Sequence, residues 1–197
     1  MRSALPVAAL LLIGVSACGV KTKQTTYVDP DAYGKVEGTG IEARDVRTVA
    51  QQMSRELLAS PAIANATGAP RVAVLDVKNR SRFLIDQEIF TTLITDLLIS
   101  NAAGKVAVLN RDLVKEIQQE RQMKTTGQVD SNGAMAQMAG ADYFLEGEVR
   151  SLSASTSDTQ SDYVLIRFQL TDASTGIVNW SNSYEMKKEG SWGVMYQ

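Results

Sequence analysis

The chain has 197 residues, 44% of them hydrophobic and 21% charged, an ordinary globular balance sized for one domain plus an extension. Its formal charge is only −2 and no basic stripe stands out, which argues against a nucleic-acid binder. It holds no histidine and one cysteine, so Ser-His and Cys-His nucleophile pairs, a His/Cys zinc cluster and an internal disulfide are all excluded.

That cysteine, Cys18, follows a charged start (Met1-Arg2-Ser3), an apolar run (Ala4 to Val15) and the small pair Ser16-Ala17. This is the layout of a secretory signal, and Val15-Ser16-Ala17-Cys18 looks like a bacterial lipobox. In such signals the cysteine thiol takes a diacylglycerol, the chain is cut before it, and the new amino terminus is acylated. Residues 1–17 are therefore read as a lipoprotein signal peptide. The apolar run is too short for a spanning helix, which needs about 20 residues. Each buried acyl methylene contributes about 0.8 kcal/mol, so several chains on Cys18 would hold the protein at a membrane. Gly19 resembles the sorting position that permits export to the outer membrane, where Asp would retain the protein at the inner one.

Residues 18–40 are read as the lipidated terminus and a flexible tether. They are rich in Thr, Gly, Lys and Asp and show no apolar periodicity. Fully extended, residues 19–40 reach about 75 Å; as a flexible coil they span about 25 Å. A helix is expected from Glu42 to Ala59, with Val46, Val49, Ala50, Met53 and Leu57 on its buried stripe, ended by Ser60-Pro61. Residues 62–70 read as loop. Arg71 to Val77 reads as a strand buried on both faces, and Asn79 to Arg82 as a turn. A helix follows from Ile85 to Asn101, with Ile85, Ile89, Leu93 and Leu97 as its core stripe, widened by Phe90, Ile94 and Leu98. Gly104 helps to stop it.

Val106 to Leu109 reads as a short strand, and Asn110 as the N-cap of a helix from Arg111 to Met123 whose charged face is solvated. Thr125 to Asp130 reads as loop, Ser131 to Ala139 as a short helix, and Asp142 to Leu152 as a strand. Ser153 to Ser161 is read as an exposed, mobile polar loop. In Tyr163 to Thr171, Val164, Ile166, Phe168 and Leu170 point one way. Asp172 to Gly176 is a hairpin turn, with Gly176 able to take positive φ. The last strand is Ile177 to Met186, with Val178 and Trp180 expected on one face. The globular domain is bounded at residues 41–188, followed by a tail at 189–197. The fold class is α/β: a mixed sheet of about four to five strands packed with about four helices, a β-α-β unit leading into an antiparallel C-terminal meander.

Three segments carry a family resemblance: Val74-Leu75-Asp76-Val77-Lys78-Asn79-Arg80-Ser81, Ala139-Gly140-Ala141-Asp142-Tyr143-Phe144-Leu145, and Thr171-Asp172-Ala173-Ser174-Thr175-Gly176-Ile177-Val178-Asn179-Trp180-Ser181. With the lipobox, this ordered set resembles the LpoB family of penicillin-binding protein activator lipoproteins across residues 41–188. The resemblance implies a fold similar to the amino-terminal domain of TolB. It also implies a role as an outer-membrane lipoprotein that docks on the regulatory domain of a bifunctional class A penicillin-binding protein and stimulates peptidoglycan synthesis. No catalytic residue, cofactor, metal or small-molecule substrate is expected. A second expectation is an accessory lipoprotein of an outer-membrane secretion or assembly complex, for which the short tether speaks.

Besides Cys18, five positions are weighed for function. Asn79 and Arg80 match the family's Asn-Arg-[Ser/Thr] turn and could present a guanidinium at a strand end; alternatively Asn79 shapes the turn and Arg80 pairs with a nearby acid. Trp192, in the aromatic tail with Val194, Met195 and Tyr196, could form a docking patch or pack over the sheet. Glu146 and Glu148, two apart on one strand face, are candidate carboxylates for acid-base work, and a solvated sheet face is the simpler explanation of them.

Overall fold

The structure is a computed structural model, and it describes residues 26–33, 38–131, 133 and 135–191. The lipobox with Cys18, part of the tether and Trp192 lie outside the described residues. Ten elements follow in order: α1 (Ala43–Ala59), α2 (Pro61–Ala64), β1 (Arg71–Val74), β2 (Lys78–Arg80), α3 (Gln87–Asn101), β3 (Ala107–Leu109), α4 (Val114–Thr125), β4 (Tyr143–Ser155), β5 (Thr159–Asp172) and β6 (Val178–Ser191). The strands make one mixed sheet ordered β3-β1-β4-β5-β6, with β2 also on β4. β1, β3, β4 and β2 pair in parallel, and β4-β5-β6 is an antiparallel meander. The α/β class expected from the sequence is the one found. Among the described residues no helix is long and apolar enough to cross a membrane.

α1 lays its expected stripe, Val46, Val49, Ala50, Met53 and Leu57, into the core. Asp45 accepts the Glu42 backbone N–H at 2.9 Å and so closes the helix start. Pro61, expected only to stop this helix, instead occupies the first position of α2, where its missing N–H costs nothing. α1, α2 and α3 pack with the sheet face that carries Leu145, Val149, Val164, Ile166, Phe168 and Leu170.

In α3 the buried line is Phe90, Ile94 and Leu98, while Ile89 is 50% exposed. The expected line Ile85, Ile89, Leu93, Leu97 is displaced by one position. Apolar residues cover so much of this helix that spacing alone leaves its rotation open, and the bulky Phe90 takes the core. Asp86 is the N-cap, accepting the Glu88 N–H at 3.0 Å.

The expected single strand from Arg71 to Val77 is broken. Val74 lies opposite Leu145 and Lys78 opposite Glu148, so four steps on one side match three on the other. That extra residue is a bulge, and it leaves Leu75 39% exposed. Pairing resumes through Asn79 and Arg80, so the turn falls later than expected.

α4 starts three residues after the expected Arg111, because Asn110 accepts the N–H groups of Asp112 (3.0 Å) and Leu113 (3.3 Å) in a turn that precedes the helix. None of its residues is buried. The helix expected from Ser131 to Ala139 is absent at residues 135–139. There the carbonyls of Ala136 and Ala139 accept from Arg121 and Arg111 (3.2 Å for the latter), which takes them out of a helical ladder.

The expected polar loop from Ser153 to Ser161 is mostly strand. β4 runs to Ser155 and β5 starts at Thr159. Inward polar groups here satisfy one another. Asp162 is fully buried and accepts from Ser153, from Thr39 and from Gln160 Nε2 (2.7 Å), with the Arg82 guanidinium 3.6 Å away. Burial pushes the carboxyl upward, but these hydrogen bonds and Arg82 outweigh it and hold it below the usual carboxylate range.

In β6 the register shifts: Leu170 faces Trp180 but Thr171 faces Val178. Asn179 is bulged out, so Val178 and Trp180 lie on opposite faces, contrary to expectation. Trp180 packs against the core and Val178 is half-exposed. The strand also outruns Met186, reaching Ser191.

The approach to α1 is fastened in two places. Lys188 Nζ lies 2.6 Å from Asp45 and donates to the Gly40 carbonyl at 3.0 Å. Earlier in the chain, Asp31 pairs with Arg47 at 2.7 Å, and the Arg44 guanidinium sits 3.8 Å over the Tyr33 ring.

Candidate partner-docking site

The sheet face opposite the core is built by the alternate residues of β2, β4, β5 and β6. Strand alternation sends Leu145, Gly147 and Val149 into the core and Glu146, Glu148 and Arg150 outward. Register then assembles an array. Lys78 pairs across to Glu148, which lies opposite Arg167; Arg80 is level with Arg150, which lies opposite Leu165.

The polar contacts are dense. Lys78 Nζ meets Glu146 Oε2 at 3.2 Å, and Gln169 Nε2 donates to Glu146 Oε1 at 2.7 Å. Arg80 Nε lies 3.1 Å from Glu148 Oε1, which Arg150 also approaches at 2.8 Å. Arg167 donates to Gln169. Four cations thus surround two carboxylates, and Arg80, Arg150 and Lys78 keep more than half of their side chains in solvent. The Gln169 hydrogen bond, helped by Lys78 and opposed by burial, holds Glu146 below the usual range. A carboxylate held ionised by neighbours is a poor proton donor near neutral pH. Glu146 and Glu148 are ion-paired members of a charged sheet face.

Beside the cations lies an apolar strip. Leu152 stands 73% exposed opposite Tyr163, and Leu165 lies next to them on β5. Burial, with the neighbouring Glu185 carboxylate, pushes the Tyr163 hydroxyl upward, so it stays protonated. An exposed leucine and a half-buried tyrosine beside excess positive charge make a surface suited to an acidic, partly apolar protein face.

Of the residues singled out in the sequence, Arg80 belongs to this array and Asn79 does not. Asn79 Nδ2 donates to the Phe83 carbonyl at 2.8 Å, and its Oδ1 accepts from Ser81 N–H (2.9 Å) and Ser81 Oγ (2.7 Å). It shapes the turn, as the second reading of it held, while Arg80 pairs with Glu148. Lys78, Arg150, Arg167 and Leu152 were not singled out. The parity they share with Glu146 and Glu148 along their strands was the available signal.

A family model described as the peptidoglycan-synthase activator LpoB matches residues 45–186. Among solved structures, the LpoB C-terminal domain from Escherichia coli is similar at 18% identity and TM-score 0.46, covering 72% of this chain and 98% of that one. The corresponding domain from Salmonella enterica is similar at 15% identity and TM-score 0.45, with the same coverages of 72% and 98%. The solution structure of E. coli LpoB gives 17% identity and TM-score 0.45 over 96% of each chain. A search of curated proteins finds no match. The family model spans well over half of the chain and contains the charged array, and the chain belongs to the LpoB family of peptidoglycan-synthase activators.

Proposed function

We propose that the protein is an outer-membrane lipoprotein, held by lipid on Cys18 and facing the periplasm, that binds the regulatory domain of a bifunctional class A penicillin-binding protein and activates it allosterically. Membership of the activator family carries this reading. The open charged face supports it, since it offers Arg80, Arg150 and Leu152 to a protein surface. Activation of this kind is differential affinity: the lipoprotein must bind the synthase's active state more tightly than its inactive state. Trp192 is a further candidate contact.

The test is glycan polymerisation by the same organism's class A synthases with and without the purified lipoprotein. Stimulation that saturates with lipoprotein concentration is the expected result; neither stimulation nor binding to any of these synthases would overturn the reading.

A specific observation favours a second reading, an accessory role in an outer-membrane assembly complex. The Asp31–Arg47 pair and the Tyr33–Arg44 stack fasten the chain to α1. About a dozen residues then separate Cys18 from the first fastened position, a reach of at most about 40 Å. Under this reading the lipoprotein co-purifies with outer-membrane partners and leaves the synthases unaffected.

A further inference from the structure

β6 is a 14-residue strand that pairs on one side only; among the described residues no strand lies on its outer edge. A long edge of this kind offers a row of unpaired backbone donors and acceptors to another strand. Lysines often blunt such edges, and β6 carries two. Both are already matched: Lys187 pairs with Glu189 at 2.7 Å and Lys188 with Asp45 at 2.6 Å. Residues 185–189 contain two glutamates and two lysines, so the edge carries no net repulsion.

We propose that this edge pairs with the same edge of a second copy, antiparallel, about a two-fold axis at Met186. Extending one sheet across such an axis keeps core-facing residues opposite core-facing ones, so the two residue numbers in every pair have an even sum. Among those registers, the one centred on Met186 sets Glu185 opposite Lys187 of the second copy, and does so twice. It also brings Met186, which packs at the core face, against its own counterpart, and Tyr184 against Lys188. Moving the centre to Lys187 sets lysine against lysine and Glu185 against Glu189. Moving it to Glu185 sets glutamate against glutamate. Centring on Lys188 also sets Lys187 opposite Glu189 twice but puts Lys188 against itself. Opposite charges directly across a strand pair stabilise it and like charges destabilise it, so the register at Met186 is the one that pairs opposite charges without setting a like pair. The interface adjoins the strip of Tyr163 and Leu165, which lie opposite Lys187 and Glu185, and it does not depend on the activator reading.

The experiment measures the mass of the full-length lipoprotein by sedimentation, in detergent at molar excess so that each micelle holds one chain. The wild type is expected to dimerise reversibly. E185K sets lysine against Lys187 at both ends, and K187E sets glutamate against Glu185, so each variant alone is expected to dissociate at least about tenfold more readily. Mixing the two variants sets the paired lysines of the E185K chain against the paired glutamates of the K187E chain, and is expected to return the mass to that of a dimer. The double swap E185K/K187E is likewise expected to dimerise as the wild type does. Melting curves check that each variant is folded. A wild type that stays monomeric at every soluble concentration would overturn the proposal. So would a dimer indifferent to the single reversals, or folded variants whose mixture stays monomeric.

Discussion

Thr39 donates its hydroxyl proton to the buried carboxylate of Asp162, which follows it by 123 residues. That contact joins the approach to α1 to the sheet interior, beside Ser153 from β4 and Arg82 from the loop after β2. The cluster lets a polar segment build the end of a hairpin, since each inward polar group finds a partner.

Replacing Asp162 with alanine strands Thr39, Ser153 and Gln160 together. These part-buried donors lose their shared charged acceptor at once, and a hydrogen bond to a charged group contributes about 1.5–3 kcal/mol, so D162A is expected to lower the urea midpoint clearly and to loosen the segment before α1. Hydrogen exchange should show protection lost first at residues 38–42 and 151–162. The pH dependence follows from the lowered folded-state value. The ionised Asp162 contributes stability that is present above the unfolded carboxylate value and lost as pH falls through the folded one. The gap between wild type and D162N should therefore be full at neutral pH and close under acid conditions.

Gly147 sits between Glu146 and Glu148, and its own position faces the core. A Cβ there would lie 2.5 Å from Phe168 Cε1 and 2.9 Å from Val77 Cγ2. Phe168 fills the space that a side chain would have taken. G147A is expected to destabilise by about 1–3 kcal/mol through overpacking, read as a lower urea midpoint with little change in slope. The paired variant G147A/F168L should recover part of the loss.

Much of this architecture is legible in the residues, and what is not legible has physical causes. The α1 stripe and the alternation of Val164, Ile166, Phe168 and Leu170 each allow only one orientation, and both are found. Two β-bulges escape sequence reading, at Leu75–Val77 and at Asn179, because an inserted residue inverts the alternation without changing composition. The hairpin end at 153–161 reads as loop because its inward residues are polar, and only the fold supplies their partners. Of the docking array, Arg80 could be singled out from its motif. Lys78, Arg150 and Arg167 come from three strands, and only sheet register brings them together.

Asp172 holds the β5–β6 turn. Its Oδ1 accepts from Ser174 Oγ (2.6 Å), Thr175 N–H (2.8 Å) and Ser174 N–H (2.9 Å), and these bonds, that of the Ser174 hydroxyl foremost, lower its pKa to about 2. The folded state therefore favours the ionised form. Its contribution is complete above the unfolded carboxylate value near 4 and fades as pH falls towards 2. D172N should melt lower than the wild type at pH 7, and the two should converge across that acid window. Gly176, at φ 73°, completes the same turn.

The docking array gives a prediction about rate as well as affinity. Arg80 and Arg150 both reach Glu148, yet each keeps more than half of its side chain in solvent, so both can meet an approaching acidic surface. Exposed charges at an interface act mainly on association rate and on its sensitivity to salt. R80E/R150E is expected to slow association with a class A synthase about tenfold at low salt, with the difference shrinking as ionic strength rises and the Debye length shortens. Leu152→Ala removes apolar contact instead, so it should speed dissociation with little salt dependence. N79A acts through the turn and should lower stability before it alters binding. Surface-binding kinetics across a salt series separates these three outcomes. If R80E/R150E bound like the wild type at low salt, the docking face would have to lie elsewhere on the domain.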